Sequence, residues 1–455
     1  MRLVSTRGEA PPVDVTTALL TGLAPDGGLY VPESWPRFDR ASVETGDRFP
    51  AVVAGILDPF TSDLVTASRL RTIADDAFSR FDHGDVAPVV ELDEDLYLME
   101  LFWGPTLAFK DFALQMLGRL FDVALEVRGG NAMILGATSG DTGSAAMEAF
   151  RDREWVDVVI LFPEGRTTEV QRRQMTTIEA PNVHAIAVEG TFDDCQDLVK
   201  AVFADSHLRR EMSLSTANSI NFGRLITQIA YYFWGYVRLG GRVSFAVPSG
   251  NFGNVYSGYA ATRMGLPVEK MIVGSNANNV LDGFFRSGRL ELGEVVPTIS
   301  PSMDIQIPSN LERLMFDMYG GDGDRLREAM VRLRRERSVR VPGGSESGNF
   351  VSRWYDDRET TSVMADVYRT TGQIVDPHTA VGIAAARDSR VEGPIVCLAT
   401  AHPAKFPRAV GSAIGRPPPV PTSLADLGRR TERVRRMGND LGELRRLLQQ
   451  VSRFA

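Results

Sequence analysis

The chain has 455 residues, a formal net charge of −8, and 24% charged against 43% hydrophobic residues. That length exceeds one ordinary core and points to two or more domains, and the acidic balance argues against a nucleic-acid binder. Two cysteines, Cys195 and Cys397, exclude a disulfide framework and suit a reducing compartment; five scattered histidines without ligand spacing argue against a metal site.

The N-terminal "MRLVSTRGEAPPVDVTTALL" sets charges and prolines where a signal peptide needs an apolar core. No run approaches the roughly 20 apolar residues of a membrane span. A cytoplasmic protein, free of membrane and nucleic acid, is the expectation. Residues 1–95 read as a self-contained leader domain. Within it, "TGLAPDGGLYVPESWP" places turn residues around a short strand, and residues 50–82 are helical.

Next comes "LFWGPTLAFKDFALQMLGRL", residues 101–120, with Lys110 in an apolar helical run after a Gly-Pro turn. Strands and helices then alternate. "AMILGATSGDTGSAAMEAF" is strand, glycine loop and helix; "VDVVILFPEG" and "NVHAIAVEG" are strands; "RVSFAVPSGNFGNVYSGYAATRMG" repeats the first pattern. Apolar strands without alternation, interleaved with helices, predict mostly parallel sheets covered on both faces. An exposed helix is predicted in "RLREAMVRLRRERSVR", a last strand in "GPIVCLATAHPAKFP", and a solvated amphipathic helix in the arginine-rich tail beyond "GRPPPVPTSL".

Glycine loops that open helices present unpaired amides and the positive end of the helix dipole, a setting for anions. "GATSGDTGS" lacks the phosphate-loop lysine, and "SGNFGN" is not a dinucleotide fingerprint. Two such loops therefore suggest two small anions, a phosphate and a carboxylate. Lys110, desolvated by Leu107, Phe109 and Phe112, would favour its neutral amine, a nucleophile able to form a Schiff base. The aldehyde that joins a lysine to a phosphate is pyridoxal phosphate. A lysine snorkelling from an amphipathic helix is the competing reading.

Seven motifs in order resemble the threonine synthase family of the longer bacterial and fungal type, pyridoxal-phosphate enzymes of fold type II. They are "GLYVP" (28–32), "GPTLAFKD" (104–111), "GATSGDTGSAA" (136–146), "NSINFGRLITQ" (218–228), "PSGNFGN" (248–254), "DPHTAVG" (376–382) and "ATAHPAKF" (399–406). The resemblance implies two α/β domains with mostly parallel sheets plus the leader. The large domain would hold residues 96–120 and 221–455, the small one 121–220, with the cofactor in the cleft between. Lys110 would carry pyridoxal 5′-phosphate. Ser249, Gly250, Asn251, Phe252, Gly253 and Asn254 would cradle its phosphate. Thr400 would face the ring nitrogen, and Asp141 would stand near the ring's 3′-oxygen with its protonation open. Thr138, Ser139, Gly140, Asp141 and Thr142 would bind the substrate carboxylate. Asn218, Ser219 and Arg224 would hold the substrate phosphate, with Lys405 also among the substrate ligands.

Arg224 reads equally as a helix-surface arginine, and Asn221 has no assigned partner. His402 and Lys405 lie beside Thr400; His378 is read as structural. Asp111 either orients Lys110 or caps a helix starting at Phe112. The implied reaction converts O-phospho-L-homoserine and water into L-threonine and phosphate, in a monomer or homodimer. The competing assignments are a threonine or serine dehydratase, a cysteine synthase, a phospholyase that stops at a 2-oxo acid, and a ligand sensor that kept the fold. No role is assigned to residues 300–350.

Overall fold

The computed structural model describes residues 1–38, 46–344 and 348–454. Two mostly parallel sheets organise the chain. The larger has six strands in the order Phe350–Trp354, Val268–Ser275, Val243–Pro248, Ile395–Ala399, Leu96–Glu100, Val89–Asp93. Only the last pair is antiparallel. The smaller sheet is parallel throughout, in the order Arg435–Met437, Val183–Val188, Val156–Pro163, Ala132–Ala137, Leu214–Ser215. Central strands such as Val243–Pro248 and Val156–Pro163 are buried along their whole length. Residues covered on both faces need no polar alternation, which explains their continuous apolar runs.

Three domain expectations change. The leader is not self-contained: Phe49, on the helix Phe49–Thr61, meets Phe112 and Trp234 at ring-centroid distances of 5.4 and 5.6 Å, within one apolar cluster that runs through all three parts of the chain. Val89–Asp93, placed with the leader by sequence, is an edge strand of the large sheet. The arginine-rich tail, placed with the large domain, joins the small one. Its strand Arg435–Met437 pairs with Ile186–Val188, and the helix Leu441–Val451 buries Leu444, Leu448 and Val451 against Leu198 and Val202. The tail helix is amphipathic as read, but its apolar stripe is docked rather than solvated. Asp157, fully buried in the small sheet, accepts from the backbone and guanidinium of Arg453 and so ties down the chain end.

The helix Gly323–Glu336 turns only Leu326, Ala329 and Leu333 inward, as its charge pattern predicts. Among the described residues no helix is long and apolar enough to cross a membrane.

Parallel strands send their following loops to one edge, where open α/β sheets build their sites. The loops after Leu96–Glu100, Val243–Pro248 and Ile395–Ala399 come from adjacent strands of the large sheet. The loop after Ala132–Ala137 faces them from the small domain, joined through the Lys110–Asp141 contact at 3.5 Å.

Candidate active site

Lys110 is the first residue of the helix Lys110–Arg128, two residues earlier than the predicted start. The loop before it lies against the 400–402 segment. Phe109 N–H donates to Thr400 O at 2.9 Å and His402 N–H to Leu107 O at 3.0 Å. Leu107 itself takes a positive φ of 60°, a strained turn of the kind that collects at functional sites. The Lys110 ammonium position lies 4.8 Å from the Phe109 ring. Phe112, expected to help desolvate it, points the other way, to Phe78 and Phe81 in the leader. Residues two apart on a helix do not share a face.

Asp111 neither orients Lys110 nor caps the helix. Its two oxygens accept from Thr106 N–H at 2.8 Å and Thr106 Oγ at 2.7 Å, closing the turn that delivers Lys110. Gly104 is required there, because a Cβ would lie 2.5 Å from that of Asp111. Burial pushes the Asp111 carboxyl up to about 6, against the two hydrogen bonds from Thr106.

Asp141, the first residue of the helix Asp141–Phe150, stands between two lysines. Its Oδ1 pairs with Lys405 Nζ at 2.8 Å and accepts from Gln171 Nε2 at 2.9 Å; its Oδ2 faces Lys110 Nζ at 3.5 Å. Burial alone would raise its pKa. The two ammonium groups and the bonds from Lys405 and Gln171 outweigh that and hold the carboxyl well below the usual range. For the protonation that the sequence left open, these contacts favour the ionised carboxylate. Lys110 shifts the opposite way to an ordinary ion-pair partner. Burial lowers its pKa, and the charges of Lys405 and Arg224 add to that against the pull of Asp141. Lys405 is fully buried, its ammonium divided between Asp141 and Thr106 O at 2.7 Å. Expected among the substrate ligands, it is here paired with Asp141.

The two glycine loops carry free amides. In the first, Thr138 Oγ accepts from the amides of Gly140 and Gly143 at 3.0 and 2.9 Å, which shapes the turn. The amides of Ser139, Asp141 and Thr142 then have no acceptor among the described residues. In the second, Ser249 N–H donates to Gly274 O and Gly253 N–H to Asn251 Oδ1, so neither is available to a ligand. Those of Gly250, Asn251, Phe252 and Asn254 remain free among the described residues. Phe252 holds the loop in a left-handed conformation with φ 67°. A Cβ on Gly250 would come within 2.8 Å of Met303 Cα. Asn254 Nδ2 is buried without a partner among the described residues, its Oδ1 taken by the hydroxyls of Tyr231 and Tyr232. A ligand that joins an aldehyde to a phosphate fits a buried lysine whose neutral form is favoured, together with such a cradle.

Arg224 is buried rather than on a helix surface. Among the described residues it gives one bond, to Ala217 O at 3.3 Å, and its Nε has no partner; desolvation lowers its pKa to about 10. Ser219 and Asn218 are half-buried on the same segment. Asn221 gains partners: it donates to Leu19 O and Thr216 O and caps Gly223, so its role is to join leader, small domain and the helix Phe222–Leu239.

Thr400 N–H donates to Thr379 Oγ, which is held by the buried Asp376. His378 is structural as read. Its Nδ1 meets Asp376 Oδ1 at 2.8 Å, and its Nε2 accepts from Ser302 N–H at 3.2 Å. His402 caps the turn Pro403–Lys405 through Nδ1, and desolvation pushes its pKa down to about 4. Sequence reasoning missed Gln171 and Gln174, which reach Asp141 and Thr106 O from one helix face three residues apart. It also missed Ser302, whose hydroxyl lies 3.4 Å from Asp141 Oδ2. The glutamine pair had a visible signal in its i, i+3 spacing; Ser302 had none.

Among the described residues no cluster of His, Cys, Asp and Glu could hold a metal. Comparison with known proteins gives three family matches: threonine synthase N terminus over residues 2–78, pyridoxal-phosphate dependent enzyme over 87–348, and threonine synthase, C-terminal, over 379–448. The chain is 44% identical to threonine synthase of Pseudomonas aeruginosa over 99% of its own length and 98% of the relative's. It is 35% identical to threonine synthase-like 2 of Pongo abelii over 100% and 98%. The structure of pyridoxal-phosphate-bound threonine synthase from Brucella melitensis superposes with a TM-score of 0.96 at 44% identity, covering 100% of both chains. The yeast threonine synthase gives 0.91 at 33%, over 99% of this chain and 98% of its own.

Proposed function

The chain belongs to the threonine synthase family of fold type II pyridoxal-phosphate enzymes, and from that premise we propose that it converts O-phospho-L-homoserine and water into L-threonine and inorganic phosphate. The observation that carries this reading is the buried Lys110, pushed toward its neutral amine, set among two loops of free amides and a buried arginine without an acid partner.

When bound, the cofactor supplies an electrophilic carbonyl for an amine and an electron sink for negative charge beside the substrate's α-carbon. Lys110 would hold it, with the free amides of Gly250, Asn251, Phe252 and Asn254 on its phosphate. Thr400, whose hydroxyl makes no bond to the described residues, would face the ring nitrogen. A hydroxyl does not force a proton onto that nitrogen, which tempers the sink and suits elimination and replacement. Asp141, its ionised form favoured by Lys405, offers only acceptors near the ring's 3′-oxygen. The free amides of Ser139, Asp141 and Thr142 would take the substrate carboxylate. Asn218, Ser219 and Arg224 would take its phosphate, for which the unpartnered Arg224 Nε is a ready donor.

Lys110, whose burial favours the neutral amine, would move protons at the substrate's α-carbon and the carbons beside it. The Phe109 ring lies 4.8 Å from the Lys110 nitrogen and covers that side of it. We also place the protein in the cytoplasm, where its two buried free cysteines stay reduced.

The test is phosphate release from O-phospho-L-homoserine with detection of threonine. Wild type should yield equimolar phosphate and threonine, and Lys110→Ala neither. Turnover retained in Lys110→Ala refutes the assignment of Lys110; a 2-oxo acid in place of threonine makes the protein a phospholyase.

A further inference from the structure

Arg313 lies on the helix Leu311–Met318 and has no exposed surface. No carboxylate among the described residues pairs with it. Its Nε donates to Tyr30 O at 3.0 Å, its Nη2 to Ile220 O at 2.7 Å, and its Nη1 to Asn310 Oδ1. A buried guanidinium without an anion is costly to keep, and desolvation lowers its pKa to about 10.

The chemistry of the contacts says what it holds. A guanidinium can only donate. Asn310 must therefore turn its oxygen toward Arg313 and its amide nitrogen away, and that nitrogen lies 3.3 Å from Ser219 Oγ. A second lock matches the first. Gly253 N–H, also only a donor, takes Asn251 Oδ1 at 3.0 Å, which turns Asn251 Nδ2 to Ser219 Oγ at 2.7 Å. The two locks are joined by Asn310 N–H donating to Asn251 O at 3.0 Å. A hydroxyl has two acceptor positions and one proton. With both positions filled, Ser219 can only donate, and nothing among the described residues accepts its proton.

We propose that Arg313 is a positioning residue: through Asn310 it fixes Ser219 as an obligate donor to the phosphate of the substrate. The proposal rests on the reading of a phosphorylated substrate given above. Ser219 and the unpartnered Arg224 Nε, on one short segment, then present donors alone. A phosphate dianion presents acceptors alone, whereas a ligand hydroxyl or ammonium would find no acceptor on either of these two groups. The cofactor carries a phosphate of the same class, and Asn251 belongs to its loop, so the experiment separates the two.

The experiment is a double-mutant cycle on the holoenzyme with Ser219→Ala, Arg313→Met and the double variant. It reads KM and kcat for O-phospho-L-homoserine, competition by inorganic phosphate, and cofactor affinity. A lost hydrogen bond to a charged group corresponds to about a tenfold to hundredfold change. Each single variant should raise KM and the phosphate inhibition constant by about tenfold or more, with cofactor affinity within about twofold of wild type. The double variant should match Ser219→Ala alone, since Arg313 acts through that hydroxyl. Arg313→Lys, still only a donor, should recover most of the loss. Multiplying effects in the double variant, or a fall in cofactor affinity equal to the rise in KM, overturns the proposal. Should Arg313→Met not fold, Asn310→Ala with Ser219→Ala runs the same cycle: matching effects support the coupling, and multiplying effects overturn it. If wild type does not turn over O-phospho-L-homoserine, the functional reading fails instead; equilibrium binding of inorganic phosphate then reads the same coupling without turnover.

Discussion

Replacing Lys405 by methionine tests the charge arrangement around Lys110. In the protein, Asp141 has Lys405 Nζ at 2.8 Å and Lys110 Nζ at 3.5 Å. At an effective dielectric of about 20, unit charges at those separations attract by about 6 and about 5 kcal/mol. Burial already disfavours the charged form of Lys110 beside the Asp141–Lys405 pair. Lys405→Met removes one cation and leaves a buried carboxylate whose only close cation is Lys110. Protonating Lys110 restores neutrality. If even a third of the Lys110–Asp141 attraction is newly realised, about 1.5 kcal/mol, the pKa of Lys110 rises by about one unit. The assay is the rate at which apoprotein takes up pyridoxal phosphate, followed by visible absorbance from pH 6 to pH 10. Uptake needs the neutral amine, so the rate climbs as pH rises through the Lys110 pKa. The midpoint of that climb should move up by one unit or more in the variant. An unchanged midpoint with uniformly slower uptake would refute the reasoning. The stability loss should stay below the roughly 3–5 kcal/mol of an orphaned buried charge, because Lys110 takes over as partner; adding Lys110→Met should bring the full loss back.

Three other outcomes follow from the same geometry. Gly250→Ala sets a Cβ 2.8 Å from Met303 Cα and 3.2 Å from its oxygen; an overpacked backbone contact costs about 1–3 kcal/mol, so cofactor affinity measured by equilibrium titration should fall about tenfold or more. His402 has its pKa pushed from 6.5 down to about 4 by burial. It is neutral when folded and takes up a proton on unfolding, so its contribution is present above pH 6.5 and is lost as pH falls toward 4. Urea unfolding of the wild type should show about 2 kcal/mol less stability at pH 5 than at pH 8 from this residue, and His402→Asn, which keeps an acceptor for Ala404 N–H, should remove that part. Arg453→Met leaves Asp157, fully buried, without its guanidinium; a loss of about 3–5 kcal/mol is expected, read as a lower Tm, and a shift under 1 kcal/mol would show that the tail does not clamp the small domain.

Much of the architecture was legible because it is local. Apolar runs such as "VDVVILFP" announce strands buried on both faces, and a glycine loop before a helix announces free amides whatever the rest of the chain does. Lys110 stood out for a similar reason: a charged residue in an apolar stretch is a conflict that any fold must resolve. Domain membership was less legible, because sheet order depends on contacts between segments far apart. Nothing in "RRMGND" says that Arg435–Met437 will extend a sheet formed by residues 132–215.

The partners of each site residue belonged to tertiary structure alone. The sequence determined that Lys110 sits in an apolar run and that two glycine loops further along the chain open helices, because both features are local. It could not determine that the ionised form of Asp141 is favoured, that Lys405 pairs with it, or that Asp111 closes a turn. Those depend on charges and donors brought within about 3 Å from positions up to 299 residues apart. Arg313 marks the boundary most sharply: one arginine among "LERLMF" is an ordinary helix residue until folding puts Tyr30, Ile220 and Asn310 around it. Electrostatic and hydrogen-bond energies fall steeply with distance and angle, and only the folded chain sets those distances.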